Sequence, residues 1–347
     1  MESQQKNSAH KSFLLQMPKV ELHRHLEGAL RFSTLIDLAK QMGQDVPSDL
    51  AQQKQKFLVL DPMKDLVTVL NKFMATQAVL NSEEVLTRIT FEAIEDAVNE
   101  GIRILELRYA PTFVRQNHEN LSFEKIHHAI LKGVKKAAHL PIAVGLICIF
   151  QRTQSAKELE RVFDFLAESK STWIGVDLAD DEINFPAKNF AGYFSRAQKL
   201  GLPITIHAGE VLSDTSAQNV EDAIEILGAK RIGHGLQIIN DRRILQKVVD
   251  KKIPLELCPT SNWLTNSIAS LDQHPFRKLM AAKVITTINS DDPGVFGIDL
   301  VNEYSLLANK YAFTEQEFQT CNDWAAAASF IPLQIKQKFW PRTIKSD

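Results

Sequence analysis

Eight short runs of β-branched and apolar residues, each closed by a polar residue, a glycine or a proline, recur along this chain. They are Val20–His25, Arg103–Tyr109, Ile142–Ile149, Trp173–Leu178, Pro203–His207, Arg231–His234, Pro254–Leu257 and Val284–Asn289. From the second run onward their starts lie 39, 31, 30, 28, 23 and 30 residues apart. The segments between have helical spacing: in Ser122–Ala138, Phe123, Ile126, Ile130, Leu131 and Val134 share one stripe. Such a cadence marks repeated βα units, which require parallel strands and right-handed crossovers. An open doubly wound sheet and a closed (β/α)8 TIM barrel both satisfy it. Eight strands in about 250 residues favour the barrel, and no glycine-rich phosphate loop follows any run.

Residues 26–102, between the first two runs, are too many for a plain crossover. They read as helices over Thr34–Met42, Pro62–Leu80 and Ser82–Asn99, with Asp61 as the cap and Pro62 at the first helical position of the second. Part of this helical insertion, over about residues 30–100, is therefore expected to cover one barrel mouth. The tail Asp299–Phe330 is expected to add C-terminal helices outside the barrel. With no Pro-, Gly- or Ser-rich linker, one domain over residues 1–347 is the simplest organisation.

Composition excludes several functions. Forty-two acidic side chains against 40 basic ones give a net charge of −2, with no electrostatic footprint for nucleic acid or an anionic membrane. The longest apolar run, Pro141–Phe150, is half the ~20 residues needed to span a bilayer. The first twelve residues are polar and lack a secretory apolar core, and Cys148, Cys258 and Cys321 are too scattered for a disulfide framework. A cytoplasmic protein is expected. Nothing in the sequence reports its oligomeric state.

Sites on this architecture are built at the C-terminal ends of strands. Those ends carry His23 and His25, Asp177 and Asp180, His207 and Glu210, His234, Cys258, and Asp291 with Asp292. His23 and His25 are two apart on a strand, so both imidazoles face one side, as a borderline-soft divalent ion requires, while Arg24 is turned toward the helical layer. An isolated His-x-His would more often be two separately hydrogen-bonded histidines. His207 adds a third imidazole, with Glu210 three residues on, and together they complete three ligands of a metal site with an open position. Asp291 and Asp292 point in different directions, so one is expected to bind the metal and the other to meet substrate or water; alone, Asp-Asp-Pro would read as a turn. His234, between two glycines, is assigned a base or electrostatic role. Cys258 reads as a small buried hydrophobe. No lysine follows the fourth strand to bridge two metals, so a single metal, zinc, is expected.

The motifs around these residues, Pro18–Ala29 (PKVELHRHLEGA), Glu106–Pro111 (ELRYAP), Asp177–Glu182 (DLADDE), His207–Glu210 (HAGE), Arg231–Gly235 (RIGHG) and Ser290–Pro293 (SDDP), resemble the adenosine/adenine deaminase family of metal-dependent hydrolases. They occur in the family's order from about residue 17 to 300. The resemblance implies one zinc held by His23, His25, His207 and Asp291. It implies that His234 takes or orients the proton of the attacking water. Asp292 would hold that water and contact purine N7, while a protonated Glu210 donates to N1 as C6 is attacked and ammonia leaves. Leu70, Phe73 and Met74 resemble the family's apolar lid, and His25, Glu27, Asp180 and Asp292 its substrate contacts.

Two positions depart from the adenosine deaminase pattern. Glu27 stands where an Asp meets the ribose 5′-hydroxyl, and Asp180 stands where a Gly offers its backbone N–H to N3. Two acids near the sugar end disfavour AMP. Adenosine or 2′-deoxyadenosine is the expected small-molecule purine substrate. Adenine, 6-aminodeoxyfutalosine and methylthioadenosine are alternatives, and a one-metal cyclic amidohydrolase is the alternative class.

Overall fold

The computed structural model describes residues 12–62 and 66–344, with side chains 66–71 left aside. Its strands are β1 (Lys19–His25), β2 (Ile102–Tyr109), β3 (Ala143–Gln151), β4 (Gly175–Ala179), β5 (Thr205–Ala208), β6 (Arg231–His234), β7 (Leu255–Leu257) and β8 (Thr286–Ile288). Every expected run corresponds to one strand, with ends shifted by two residues at most. Pro203 and Pro254 drop out of β5 and β7 because proline brings no ladder N–H. Each still accepts from the preceding strand, through Val176 N–H and Ile232 N–H, both at 3.0 Å.

All pairings are parallel, in two arcs ordered β1-β2-β3-β4 and β5-β6-β7-β8. Single parallel bridges join them, Val176 to Ile204 on one seam and Arg24 to Asp291 on the other. This closes the (β/α)8 barrel, whose helices bury an apolar layer including Ile126, Ile130, Val162, Leu166, Ile244 and Val248. The β1–β8 seam is functional as well as structural. His25 N–H donates to Asp291 O at 2.9 Å and Asp291 N–H to His23 O at 3.0 Å, so the backbones of three candidate ligands are tied together.

The segment between β1 and β2 holds four helices, Phe32–Gln41, Leu50–Phe57, Leu66–Ala78 and Glu83–Asn99. Three features of this segment were not foreseen from the sequence. Leu50–Phe57 carries no apolar stripe and buries only Phe57; its sole sequence signal is Asp49, which caps it by accepting from Gln52 N–H. Asp61 and Pro62, expected at the start of the next helix, are not helical; that helix is described over Leu66–Ala78. Glu83–Asn99 covers no mouth: it packs on β2 and on the helix Phe123–Lys136, so it is the crossover helix of the first βα unit. Leu66–Ala78 does lie near the strand ends, against the short helix Pro293–Phe296 after β8, with the Phe73 and Phe296 rings 6.4 Å apart.

The tail forms helices Leu300–Tyr311 and Glu315–Ala328, packed on β8 and β1. Buried Asn322 fastens them, accepting from Val20 N–H and Tyr304 O–H, each at 2.9 Å. Among the described residues, no helix is long and apolar enough to cross a membrane.

Candidate active site

The inside of this barrel is ionic where most (β/α)8 barrels are filled by branched apolar side chains. Side chains from four strands supply it: Glu106 and Arg108 on β2, Asp177 on β4, Arg231 on β6 and Glu256 on β7. Ser329 O–H donates to Glu106, and Arg231 spans Glu106 and Glu256 at 2.6 Å each. Arg108 then spans Glu256 and Asp177 at 2.7 Å each. These charges are fully buried and alternate in sign, so each is paired in a region where an unpaired charge would cost several kcal/mol. Burial would raise the Glu256 carboxyl, but Arg108 and Arg231 outweigh it and hold it well below the usual range. Burial is likewise outweighed at Asp177, by His207 and Arg108.

The top of this ladder aims the histidines. Ionised Glu256 and Asp177 only accept, so His23 Nδ1–H donates to Glu256 at 2.8 Å and His207 Nδ1–H to Asp177 at 2.9 Å. The free Nε2 of each ring is thereby directed into the barrel mouth. His23 Nε2 is buried without a hydrogen-bond partner.

Four donor atoms converge there. His25 Nε2 lies 3.2 Å from His207 Nε2 and 3.3 Å from Asp291 Oδ1, and His23 Nε2 lies 3.2 Å from the same oxygen. Bonds of about 2.0–2.1 Å at the tetrahedral angle place zinc ligands roughly 3.3–3.4 Å apart, so the set fits that ion. A looser group, with atoms within 4.8 Å of one another, takes His234 in place of His25. His234 Nε2, however, is 3.9 Å from Asp291 Oδ2, which already accepts from Ser261 O–H at 2.6 Å. The tighter edges favour His25 as the ligand.

Acid chemistry sits beside these donors. The Glu210 carboxyl has Oε2 3.6 Å from His234 Nε2 and Oε1 3.2 Å from Thr265 Oγ1. Burial, with Asp291 and Glu182 adding repulsion, pushes it up to about 8, so it carries a proton at neutral pH. Its backbone is held by Glu182, whose carboxylate accepts the N–H groups of Gly209, Glu210 and Val211, each at 2.8 Å. Burial, then Asp291, Glu27 and Glu210, raise Asp292 well above the ordinary carboxyl value. Burial drives the His234 and His25 imidazoles well below theirs.

Backbone strain is present at the same place. Asp180, His234 and Asp291 have φ of 90°, 63° and 65°, the left-handed region that side chains other than glycine's seldom adopt. Gly28 is required by proximity: a Cβ there would stand 1.8 Å from Asp292 Oδ1 and 2.7 Å from Asp292 Cβ.

These residues open into one cavity of about 1530 Å³, lined by His25, Glu27, Asp180, His207, Glu210, His234, Asp291 and Asp292, with Phe73 and Met74 on its rim side. The Leu70 side chain lies outside the described residues. Glu27 is buried and accepts from Ala110 N–H at 2.6 Å through Oε1, while Oε2 has no partner. Burial raises its carboxyl to about 7. Asp180 instead turns its carboxylate outward, accepting from Thr153 O–H and Asp181 N–H. Arg24, pointed away from the mouth, is accounted for by a buried fork onto both oxygens of Glu100, at 2.7 and 3.1 Å. Cys258 is buried, as its sequence context implies. Sequence reasoning passed over Glu256, Arg108, Arg231, Glu182 and Ser261. The first three were visible as charges alternating with apolar residues on buried strands; Glu182 lies in a loop and Ser261 on the short helix Pro259–Leu264, where no such pattern shows.

A parallel barrel whose strand ends bring together three imidazoles, a carboxylate fit for a metal and a neutral carboxylic acid defines a (β/α)8 hydrolase site. The chain belongs to the adenosine deaminase family, whose model matches residues 18–345. Adenosine deaminases of Yersinia enterocolitica and Serratia proteamaculans are each 34% identical over 323 residues, covering 92% of this chain and 96% of the relative. Among solved structures, adenine deaminase from Arthrobacter aurescens superposes with a TM-score of 0.83 at 26% identity, over 93% of this chain and 96% of that one. The N6-methyl-AMP deaminase of Arabidopsis thaliana does so with a TM-score of 0.82 at 28% identity, over 95% and 97%. The protein is thus a hydrolase of C–N bonds that performs this family's deamination.

Proposed function

We propose that the protein converts adenosine and 2′-deoxyadenosine to their 6-oxo counterparts and ammonia, with one zinc ion held by His23, His25, His207 and Asp291. The observation that carries this reading is Glu210, raised by burial to about 8 and set 3.6 Å from His234, in the same cavity as His25, His207 and Asp291. When bound, zinc supplies a Lewis acid that makes water at its open position a nucleophile near neutral pH. His234 orients that water through a hydrogen bond. Asp292, raised by its acidic neighbours, shares a proton with purine N7 and holds the water on the C6 face. Glu210 donates to N1 as C6 becomes tetrahedral; the proton released by the water passes to the 6-amino group, the C6–N bond breaks to free ammonia, and the C6 hydroxyl returns a proton to Glu210 as it becomes the 6-oxo group. Three buried, unpaired thiols support a reducing, cytoplasmic setting for this work.

Cavity size and charge choose among substrates. About 1530 Å³ exceeds the roughly 300–1,000 Å³ of ordinary small-molecule sites, so it has room for a purine with its sugar. Its described lining carries nine carboxyl side chains against one arginine, Arg115, which opposes a phosphate-bearing nucleotide. In a panel of adenosine, deoxyadenosine, adenine, methylthioadenosine and AMP, followed by the ultraviolet change on deamination, adenosine and deoxyadenosine are expected to have the highest kcat/KM. Glu27→Asp withdraws the unpartnered Oε2 by one methylene and is expected to change KM for nucleosides several-fold, leaving adenine nearly unaffected. If adenine leads the panel, the nucleoside reading is wrong.

Gly28 offers a test of Asp292. In Gly28→Ala the new methyl must displace the Asp292 side chain, and a shift of about 1 Å at such a group costs on the order of 10²-fold in turnover. Zinc content should be unchanged, because the ligand set does not include Asp292. Normal turnover in this variant would remove Asp292 from the reacting centre.

A further inference from the structure

Behind His234, away from the cavity, lies a run of buried polar groups that the reaction as described does not use. His234 Nδ1 is 3.0 Å from Asn262 Nδ2, and Asn262 Oδ1 is 3.2 Å from His274 Nε2. His274 Nδ1 accepts from Phe276 N–H at 3.2 Å. His234, Asn262 and His274 are 1%, 0% and 3% exposed, so water does not compete for these positions.

The direction of every bond in this chain follows from its last member. A backbone N–H can only donate, so His274 Nδ1 carries the lone pair, and burial holds that ring neutral by lowering it to about 3. A neutral imidazole with its lone pair at Nδ1 bears its proton at Nε2. That N–H donates to Asn262 Oδ1, which fixes the amide's orientation and turns its NH₂ group toward His234. His234 Nδ1 must then accept, and the remaining proton of that ring belongs to Nε2, facing Glu210 and Asp291.

We propose that Asn262 and His274 are positioning residues that lock His234 in its Nε2–H tautomer, so that it enters the reaction as a hydrogen-bond donor to the attacking oxygen and not as a metal ligand. The contrast with its neighbours is internal to the site. His23 and His207 give their Nδ1–H to carboxylates and present lone pairs at Nε2, whereas His234 has an amide donor at Nδ1 and presents a hydrogen. Partner chemistry on the far side of each ring thus sorts three imidazoles within 5.2 Å of one another, centroid to centroid, into ligands and donor. The inference rests on the deaminase reading for its catalytic consequence, but the tautomer itself does not.

Asn262→Asp tests it. The substitution preserves volume and the acceptor for His274, yet offers a carboxylate in place of the amide donor and so draws the His234 proton to Nδ1. Turnover of the zinc-loaded enzyme is expected to fall by about 10²–10⁴-fold, with KM within a few-fold, as when a catalytic histidine is held in the wrong tautomer. Nitrogen-15 spectra of histidine-labelled, zinc-loaded protein, with His234 assigned by its loss in His234→Gln, should show an unprotonated Nδ1 in the wild type and a protonated Nδ1 in Asn262→Asp. His274→Leu, which removes the anchor of the amide, should lose about tenfold in kcat. An unprotonated Nε2 on wild-type His234 would overturn the proposal whatever the variants do. So would wild-type kcat in Asn262→Asp, or lost turnover with the tautomer unmoved, which would make Asn262 merely structural. The expected spectra in a protein inactive on every adenine compound would strike the proposed reaction and leave the tautomer lock standing.

Discussion

Glu210→Gln is expected to lower adenosine turnover by about 10³-fold while zinc content, thermal midpoint and far-ultraviolet circular dichroism stay at wild-type values. Glutamine matches the carboxylic acid in shape, and its carbonyl can still accept from Thr265 and Ser267. It has no proton to give to a ring nitrogen, so only the transfer step is lost. KM should change little, because an amide N–H still contacts N1.

The pH profile gives the same test a sign. Burial, Asp291 and Glu182 raise the Glu210 carboxyl to about 8. The acid is therefore available below that pH and is lost as pH rises through it. A cation at the neighbouring ligand set favours the carboxylate, so the alkaline limb of kcat/KM falls at or somewhat below pH 8. Glu210→Gln should flatten that limb in its residual activity. Near-normal turnover, or an unaltered alkaline limb, would remove Glu210 from the acid role.

What the sequence made legible follows from the period of a strand. His23 and His25 share a face because they are two apart, and the ends of the apolar runs located His207, His234 and Asp291 at or just beyond the strand ends. Short strands held by parallel neighbours on both sides leave little freedom in that reading. The insertion was harder to read. Leu50–Phe57 is a helix for reasons of capping and context, without a stripe to announce it, and the helix Glu83–Asn99 has an amphipathic pattern that serves a crossover as well as a lid. Glu182 was also opaque. It lies in a loop after β4 and organises a loop after β5, a contact across 27 residues that neither segment signals by itself. The direction of the His274–Asn262–His234 run, likewise, depends on a backbone N–H whose orientation only the folded chain supplies.

Removing the metal is expected to abolish turnover and to lower the thermal midpoint together, because one ion both completes the site and neutralises it. Among the described lining residues, nine carboxyl groups face a single arginine, and Asp291, Asp292 and Glu210 are buried within that group. Chelated protein loses that cation, so the Asp291 carboxylate is left without it and His23 Nε2 stays unpaired. Zinc in thousandfold excess over its Kd would stabilise the folded state by about 4 kcal/mol. With an unfolding entropy near 2.1 cal/mol/K per residue, that is roughly 5–6 °C for a chain of 347 residues. Restoring zinc should recover both turnover and midpoint, with about one ion per chain by elemental analysis. His207→Ala should mimic chelation in both readouts, since it removes a ligand and also strips Asp177 of the imidazole it orients. Turnover that survives chelation, or a midpoint indifferent to zinc while the apo protein stays active, would show that His23, His25, His207 and Asp291 do not form a metal site.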